Sequence, residues 1–275
     1  MKLKRVTRVQ IKKLIPVRRK SDSKIESGAV LIIAGAKGLY GAGLMAALAA
    51  TRAGVGYTHL MTDLIKFPWL RFPDFIVHEF SIHSIKKYQE AVIAIGPGLG
   101  LKNDKKKYLE YLMKQQFPKV VVDGDALTFL SQMKISKLPK NWILTPHEGE
   151  LARLMKVSSL QIKKNRLFYV QEAQKKFGCV VLLKGDETLI ASEKNVMSIK
   201  NGTIALAKAG TGDVLTGMIS AFYAQKKNPL EAAMLGSYLH GESAKIWIKK
   251  KDYLSMRPVD LIDKIPEAIF KVRRK

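Results

Sequence analysis

The segment Ala209-Gly210-Thr211-Gly212-Asp213-Val214-Leu215-Thr216-Gly217 runs directly into an apolar stretch, residues 218–225, that reads as a helix. Glycines at this spacing let successive backbone N–H groups point into one concavity. The helix behind them adds its partial positive charge, so an anion is stabilised at the helix start. An aspartate at that place, Asp213, is positioned to take a proton from an attacking hydroxyl, the task of a base in phosphoryl transfer. A glycine-rich turn with Asp213 as a plain helix N-cap uses the same residues, so the neighbouring segments have to decide.

Working outward, short apolar strands alternate with amphipathic helices. Residues 29–34 form an apolar run closed by Gly35, residues 41–53 are rich in Ala and Leu, and Gly54 ends them as a C-cap glycine would. Residues 57–61 read as a strand. The run at 91–95 stops at Gly96-Pro97-Gly98-Leu99-Gly100 and a helix follows over 104–116. The run at 119–122 stops at Asp123-Gly124-Asp125, and that at 142–144 stops at Thr145-Pro146-His147 before a helix over 148–155. Residues 180–183 stop at Lys184-Gly185. Fully apolar strands interleaved with helices indicate a mostly parallel sheet covered on both faces, a three-layer α/β/α arrangement. The basic residues 1–24 read as an arm or first helix outside this repeat, and 25–275 as one domain.

In such sheets the ligand crevice lies beyond the carboxyl ends of the strands. Gly98, Asp123, His147, Lys184 and the glycines around Gly35 all follow strands and would face one site.

Taken together, Gly210-Thr211-Gly212-Asp213 before a helix, Gly96-Pro97-Gly98-Leu99-Gly100, Thr145-Pro146-His147-Glu148-Gly149-Glu150 and Lys184-Gly185 resemble the ADP- or ATP-dependent NAD(P)H-hydrate dehydratases. This is a carbohydrate-kinase-like branch of the ribokinase-like superfamily. The similarity runs from about residue 25 to about residue 270 with the motifs in the same order. It implies that Gly210, Thr211 and Gly212 form the anion hole and that Asp213 is the base beside the substrate hydroxyl. It implies substrate contacts from Ala42, Gly98 and His147 as well as Asp213. An adenine-nucleotide site would be lined by Lys184, Gly185, Asp186, Glu187, Thr188 and Gly212. Further implications are ADP or ATP as cosubstrate, Mg2+ with the nucleotide, NAD(P)H hydrate as substrate, and a homo-oligomer, a tetramer in form. The family's companion epimerase domain is absent, so this chain is not expected to interconvert substrate epimers. Two stretches depart from the family pattern. Residues 203–208 (Thr203-Ile204-Ala205-Leu206-Ala207-Lys208) replace an Asn-Pro-Gly-Met-Ala-Thr-like stretch and place Lys208 close to the expected phosphates. Lys37 stands in the first loop where a small polar residue is usual.

Other residues carry two readings. Asp123 could orient a ribose or hydrate magnesium, or Asp123-Gly124-Asp125 could be a turn in which Asp125 caps a helix. Glu148 and Glu150 suit a helix first turn through the dipole and could also serve a metal. His240 lies in a helical pattern and reads as structural. His59, His78 and His83 lack a Cys or Asp at metal-ligand spacing, so no zinc site is expected, and no specific metal ligand is assigned. Neither Gly-x-Ser-x-Gly nor a Walker Gly-Lys-Ser/Thr occurs, and the first loop does not match Gly-x-Gly-x-x-Gly, which disfavours a Rossmann dehydrogenase.

Composition narrows the class further. Hydrophobic residues at 47% and charged residues at 26% are ordinary for a globular chain. No apolar run approaches the roughly 18–20 residues that span a bilayer, no secretory signal is read at the N-terminus, and the single Cys179 sits in an apolar run as a buried small hydrophobe. A cytoplasmic enzyme without a membrane partner is the expectation. The net charge of +25 favours polyanions at low salt, but the basic runs at 18–20, 105–107, 249–251 and 273–275 lack interleaved aromatic residues that would stack bases. Nucleic acid is therefore not expected as a partner. A small-molecule kinase of the same superfamily and a non-catalytic, basic nucleotide- or RNA-binding protein are the rival functions.

Overall fold

The structure is a computed structural model that describes residues 1–21, 23–63, 74–135, 137–225 and 227–274; Lys275 of the last basic run lies outside the described residues. The strands are β1 (Lys2–Arg5), β2 (Ala29–Ile33), β3 (Tyr57–Met61), β4 (Ile76–His78), β5 (Val92–Ile95), β6 (Val120–Val122), β7 (Ile143–Leu144), β8 (Val180–Leu183), β9 (Thr188–Ala191) and β10 (Asn195–Ile199). The helices are α1 (Arg8–Leu14), α2 (Tyr40–Arg52), α3 (Ile82–Ile85), α4 (Asn103–Lys114), α5 (Gly124–Gln132), α6 (Glu148–Met155), α7 (Ser159–Lys164), α8 (Arg166–Phe177), α9 (Thr211–Ala224), α10 (Pro229–Ile248) and α11 (Pro258–Arg274).

Among the described residues the strands form one sheet in the order β1-β10-β9-β8-β7-β6-β5-β2-β3-β4. It is parallel except for β9, which runs antiparallel to both β8 and β10. Alternate residues of each central strand enter opposite cores. Val30 and Ile32 of β2 pack with α2, α9, α10 and α11, while Leu31 and Ile33 pack on the other face with α3 to α8. Each such side chain stabilises the fold by about 1.5–3 kcal/mol, and burial on both faces is why these strands read as unbroken apolar runs. The three-layer α/β/α expectation holds.

Small residues set how closely the site-bearing helices approach. A Cβ on Gly217 of α9 would lie 2.1 Å from the Ala46 carbonyl oxygen of α2, so only glycine lets these two backbones touch. Their N-terminal ends consequently lie side by side, with Gly210 facing Met45.

Three differences from the sequence reading have physical causes. Helix α9 begins at Thr211 rather than near residue 218; glycine's poor helix propensity hid a helix start in which Gly210, at φ +93°, is the N-cap. The hairpin of β9 and β10 was not foreseen. Finally, the basic segment does contain a helix, α1, but β1 before it pairs in parallel with β10. All four β1 residues are exposed, so the pairing is made by main chain and leaves no apolar pattern.

Candidate active site

Five neighbouring strands, β8, β7, β6, β5 and β2, end at the same edge of the sheet, as the parallel topology requires. Lys184 leaves β8 there and its Nζ donates to Asp123 Oδ1, which follows β6, at 2.7 Å. Asp123 Oδ2 accepts from the Thr216 hydroxyl of α9, also at 2.7 Å, and Lys184 Nζ lies 3.6 Å from Glu150 Oε2. Burial alone would raise the Asp123 pKa, but the Lys184 ammonium and the Thr216 hydroxyl hold it below the usual carboxylate value. For Lys184, burial opposes the charge and Asp123 and Glu150 restore it, leaving the pKa above the ordinary lysine value. The pair is therefore ionised, and Asp123 is spent on holding Lys184. Its companion Asp125 does not cap α5; its Oδ2 accepts from Gly100 N at 2.7 Å and ties down the Gly96–Gly100 loop.

Asp213 occupies the first turn of α9, not the N-cap. Its carboxyl makes no hydrogen bond or ion pair among the described residues and is half-buried. Burial, then repulsion from Asp123, outweighs the attraction of Lys184 and pushes its pKa up to about 7. A free carboxyl poised near neutrality beside an ammonium suits a general base. Lys184 Nζ is also close to Gly212, 3.7 Å from where a Cβ would stand, so the cation and the N–H groups at the start of α9 favour the same anion. Thr211 is fixed from below: its hydroxyl donates to Leu206 O and Lys208 O, and its carbonyl oxygen is 2.9 Å from His240 Nε2. Burial pushes the His240 pKa down to about 4, so the ring is neutral and donates, and it also lines the cleft that runs over Leu206 toward Ser237.

His147 is the N-cap of α6. Its Nδ1 accepts from Gly149 N at 3.0 Å and Glu150 N at 3.3 Å, while Glu150 Oε2 accepts from His147 N at 2.8 Å, closing a capping box. With Nδ1 used as acceptor, Nε2 is the donor of this exposed side chain, and it lies 3.6 Å from Glu150 Oε1.

Two clefts meet at Lys184, Gly185, Leu206, Thr211 and Gly212. One, of about 450 Å³, runs over Ile204, Leu206 and Leu215 toward Ser237 of α10. The buried hydroxyls of Thr203 and Ser237 on its wall have no hydrogen-bond partner among the described residues. The other, of about 530 Å³, opens between His147–Gly149 and the start of α9. Of the residues expected at the nucleotide, Lys184, Gly185, Asp186, Thr188 and Gly212 line the first cleft, whereas Glu187 turns away and accepts from the Ser198 hydroxyl of β10. Lys208 also turns away, its Nζ donating to Leu254 O at 2.7 Å; the cation expected near the phosphates is not there. Ala42 and Gly98 are brought together, a Cβ on Gly98 falling 2.9 Å from Ala42 Cβ. They lie on the β5 and β2 side of the same edge.

The sequence reading missed Arg166, at the start of α8. Its Nη1 pairs with Glu148, and its Nη2 donates to the carbonyls of Lys184 at 3.2 Å and Glu187 at 2.9 Å. Partners that are main-chain atoms leave no sequence signature. Thr203 and Ser237 were likewise invisible, being unpaired hydroxyls identified only by what surrounds them. Among the described residues, no three His, Cys, Asp or Glu side chains converge as a metal site.

A sequence model of NAD(P)H-hydrate dehydratases matches residues 30–267. The chain is 32% identical over 273 residues to the bifunctional NAD(P)H-hydrate repair enzyme of Escherichia coli, covering 98% of this chain and 52% of that protein. It is 29% identical over 281 residues to the ADP-dependent (S)-NAD(P)H-hydrate dehydratase of Nitrosopumilus maritimus, covering 96% of each. The structure of the ADP/ATP-dependent NAD(P)H-hydrate dehydratase of Bacillus subtilis, co-crystallised with ATP and Mg2+, matches with a TM-score of 0.86 at 29% identity over 97% of both chains. The chain spans about half the length of the bifunctional relatives it matches.

Proposed function

Because the chain belongs to the NAD(P)H-hydrate dehydratase family, we propose that it returns (S)-NADH or (S)-NADPH hydrate to the reduced dinucleotide by nucleotide-dependent dehydration. The observation that carries this reading is Asp213, a free carboxyl raised to about 7 at the start of α9, where two clefts meet beside Lys184. One cleft takes the adenine nucleotide and the other the hydrated nicotinamide.

Hydroxide is a poor leaving group near neutral pH and phosphate a far better one. The substrate hydroxyl oxygen attacks the terminal phosphorus of the nucleotide while Asp213 accepts its proton. An O–P bond forms, and the bond to the shortened nucleotide breaks. The C–O bond then breaks with its electron pair leaving on phosphate, the departing phosphate takes up the proton that the neighbouring carbon gives up, and the ring double bond returns. Lys184 and the N–H groups of Thr211 and Gly212 stabilise the phosphoryl charge. His147 donates through Nε2 to an acceptor on the dinucleotide, and the hydroxyls of Thr203 and Ser237 meet the nucleotide.

Magnesium keeps several waters and binds through one or two carboxylates plus phosphates. Both Asp123 oxygens are engaged, so the donor set fits an ion carried mainly by the nucleotide. Such an ion would supply charge neutralisation at the transferred group. The same reading makes the protein a cytoplasmic homo-oligomer, a tetramer that size-exclusion chromatography with light scattering would detect. Among the described residues no helix is long and apolar enough to cross a membrane.

The test mixes purified protein with hydrated NADH, ADP or ATP, and magnesium, and follows recovery of reduced-nicotinamide absorbance. Recovery that needs nucleotide and vanishes in Asp213→Asn supports the reading. Folded, nucleotide-binding protein that leaves the hydrate unchanged overturns it, and a stable phosphorylated product from a vitamin-precursor panel would favour a kinase instead.

A further inference from the structure

Arg166 lines neither cleft, yet it touches the walls of both. On one side its Nη1 pairs with Glu148, the first residue of α6 and the neighbour of His147. On the other its Nη2 lies on the carbonyls of Lys184 and Glu187, with that of Leu183 at 3.5 Å. A guanidinium is planar with its donors in a fixed fork, so these contacts set direction as well as distance. Gly185 is fitted to this arrangement: a Cβ there would stand 2.5 Å from Nη2.

The loop over residues 184–187 is held otherwise mainly at its ends, with one long contact inside it, the Thr188 hydroxyl donating to Gly185 O at 3.5 Å. Lys184 N donates to Pro146 O at 2.8 Å, and the Glu187 side chain accepts from Ser198. Those contacts pin the two ends. Gly185, Asp186 and Glu187 are exposed, and the Arg166 fork is what spans the carbonyls from one end to the other.

We infer that Arg166 is a positioning residue that ties the two ligand sites together. It shapes the 184–187 loop for the nucleotide and, through Glu148, sets the start of α6 that presents His147 to the second ligand. The inference deepens the dehydratase reading and rests on it for the identity of that second ligand.

The experiment compares wild type with Arg166→Met, Arg166→Lys and Glu148→Gln. ADP binding is measured by calorimetry without substrate, alongside the ligand-free unfolding midpoint and steady-state kinetics. Arg166→Met and Arg166→Lys are expected to weaken ADP binding about tenfold or more and to raise the KM for the hydrate. Their kcat at saturation and their unfolding midpoints should stay close to wild type. Lysine does not rescue, because it keeps the charge facing Glu148 but lacks the fork. Glu148→Gln keeps ADP affinity within about twofold and raises only the hydrate KM. ADP affinity and hydrate KM unchanged in Arg166→Met would sink the inference. Should that variant fail to fold, Arg166→Lys decides by the same two readouts, since it keeps the charge at this place while removing the fork. A wild type that binds ADP but leaves the hydrate untouched would overturn the dehydratase reading alone; the ADP titrations would still judge the clamp.

Discussion

Lys184 Nζ and Asp123 Oδ1 are 2.7 Å apart at the ends of β8 and β6, and the aspartate side of this pair is almost wholly buried. The ammonium that faces the clefts is thus aimed by an anion that never reaches them. Lys184→Met would leave that carboxylate without its cation, and removing one partner of a buried pair costs about 3–5 kcal/mol. Urea unfolding at neutral pH should show this loss. The pH dependence should also change sign. In wild type the Asp123 pKa is depressed, so its contribution is present above the unfolded value near 3.8 and is lost as pH falls through the lower folded value. In Lys184→Met burial dominates, the folded pKa rises, and stability declines as pH increases.

Asp213 works in the opposite direction. Its folded pKa of about 7 lies above the unfolded value near 3.8, so the native state binds the extra proton between the two and stability falls as pH rises across that window. Asp213→Asn should therefore stabilise the ligand-free protein above pH 7 by on the order of 1–3 kcal/mol. The same variant should lose turnover by roughly 10²- to 10⁴-fold. In wild type kcat/KM should climb through about pH 7 as the base ionises and level off above it. A flat profile across that range would remove Asp213 from the role of base.

His147 combines a cap and a donor, and substitution can separate them. Asparagine is a good N-cap whose side chain is too short to replace the imidazole Nε2–H, whereas alanine supplies neither function. His147→Asn should hold thermal stability near wild type, and His147→Ala should lose about 1 kcal/mol. Both should raise the dinucleotide KM. A normal KM in the asparagine variant would mean that Nε2 touches nothing.

The unpaired Ser237 hydroxyl gives a test with opposed signs. Ser237→Ala removes a buried polar group that has no partner among the described residues, so the ligand-free protein should be no less stable. ADP or ATP affinity should fall about five- to tenfold, the value of about one hydrogen bond. Differential scanning calorimetry with and without nucleotide reads both effects.

How much of this was legible in the sequence follows from where the information resides. Strands β2, β5, β6, β7 and β8 were found because both faces of each are buried and the chain writes them as apolar runs. The hairpin of β9 and β10 was overlooked because its turn, closed by Ser192 N donating to Asn195 O at 2.9 Å, carries no glycine signal. Asp213, Lys184, Gly98 and His147 do gather at one edge, since parallel strands put all their ends there. Their division of labour was not legible. Asp123 and Lys184 are 61 positions apart, and nothing local marks them as partners. The hold of the His147 ring on Gly149 N and Glu150 N and that of Arg166 on Lys184 O and Glu187 O are made with main-chain atoms, which are the same for every sequence.

The pairing of β1 has a consequence for the order of assembly. Of the described strands this one leaves the ribosome before the other nine, yet its ladder begins at Lys2 opposite Asn195. The helix behind it is fastened later still, by Arg8 donating to Lys271 O and Arg273 donating to Pro16 O. During synthesis these early residues have nothing to join until most of the chain has emerged, and closing so large a loop is slow. Among the described strands β1 is therefore the last to dock, and the many lysines and arginines around it keep it solvated while it waits.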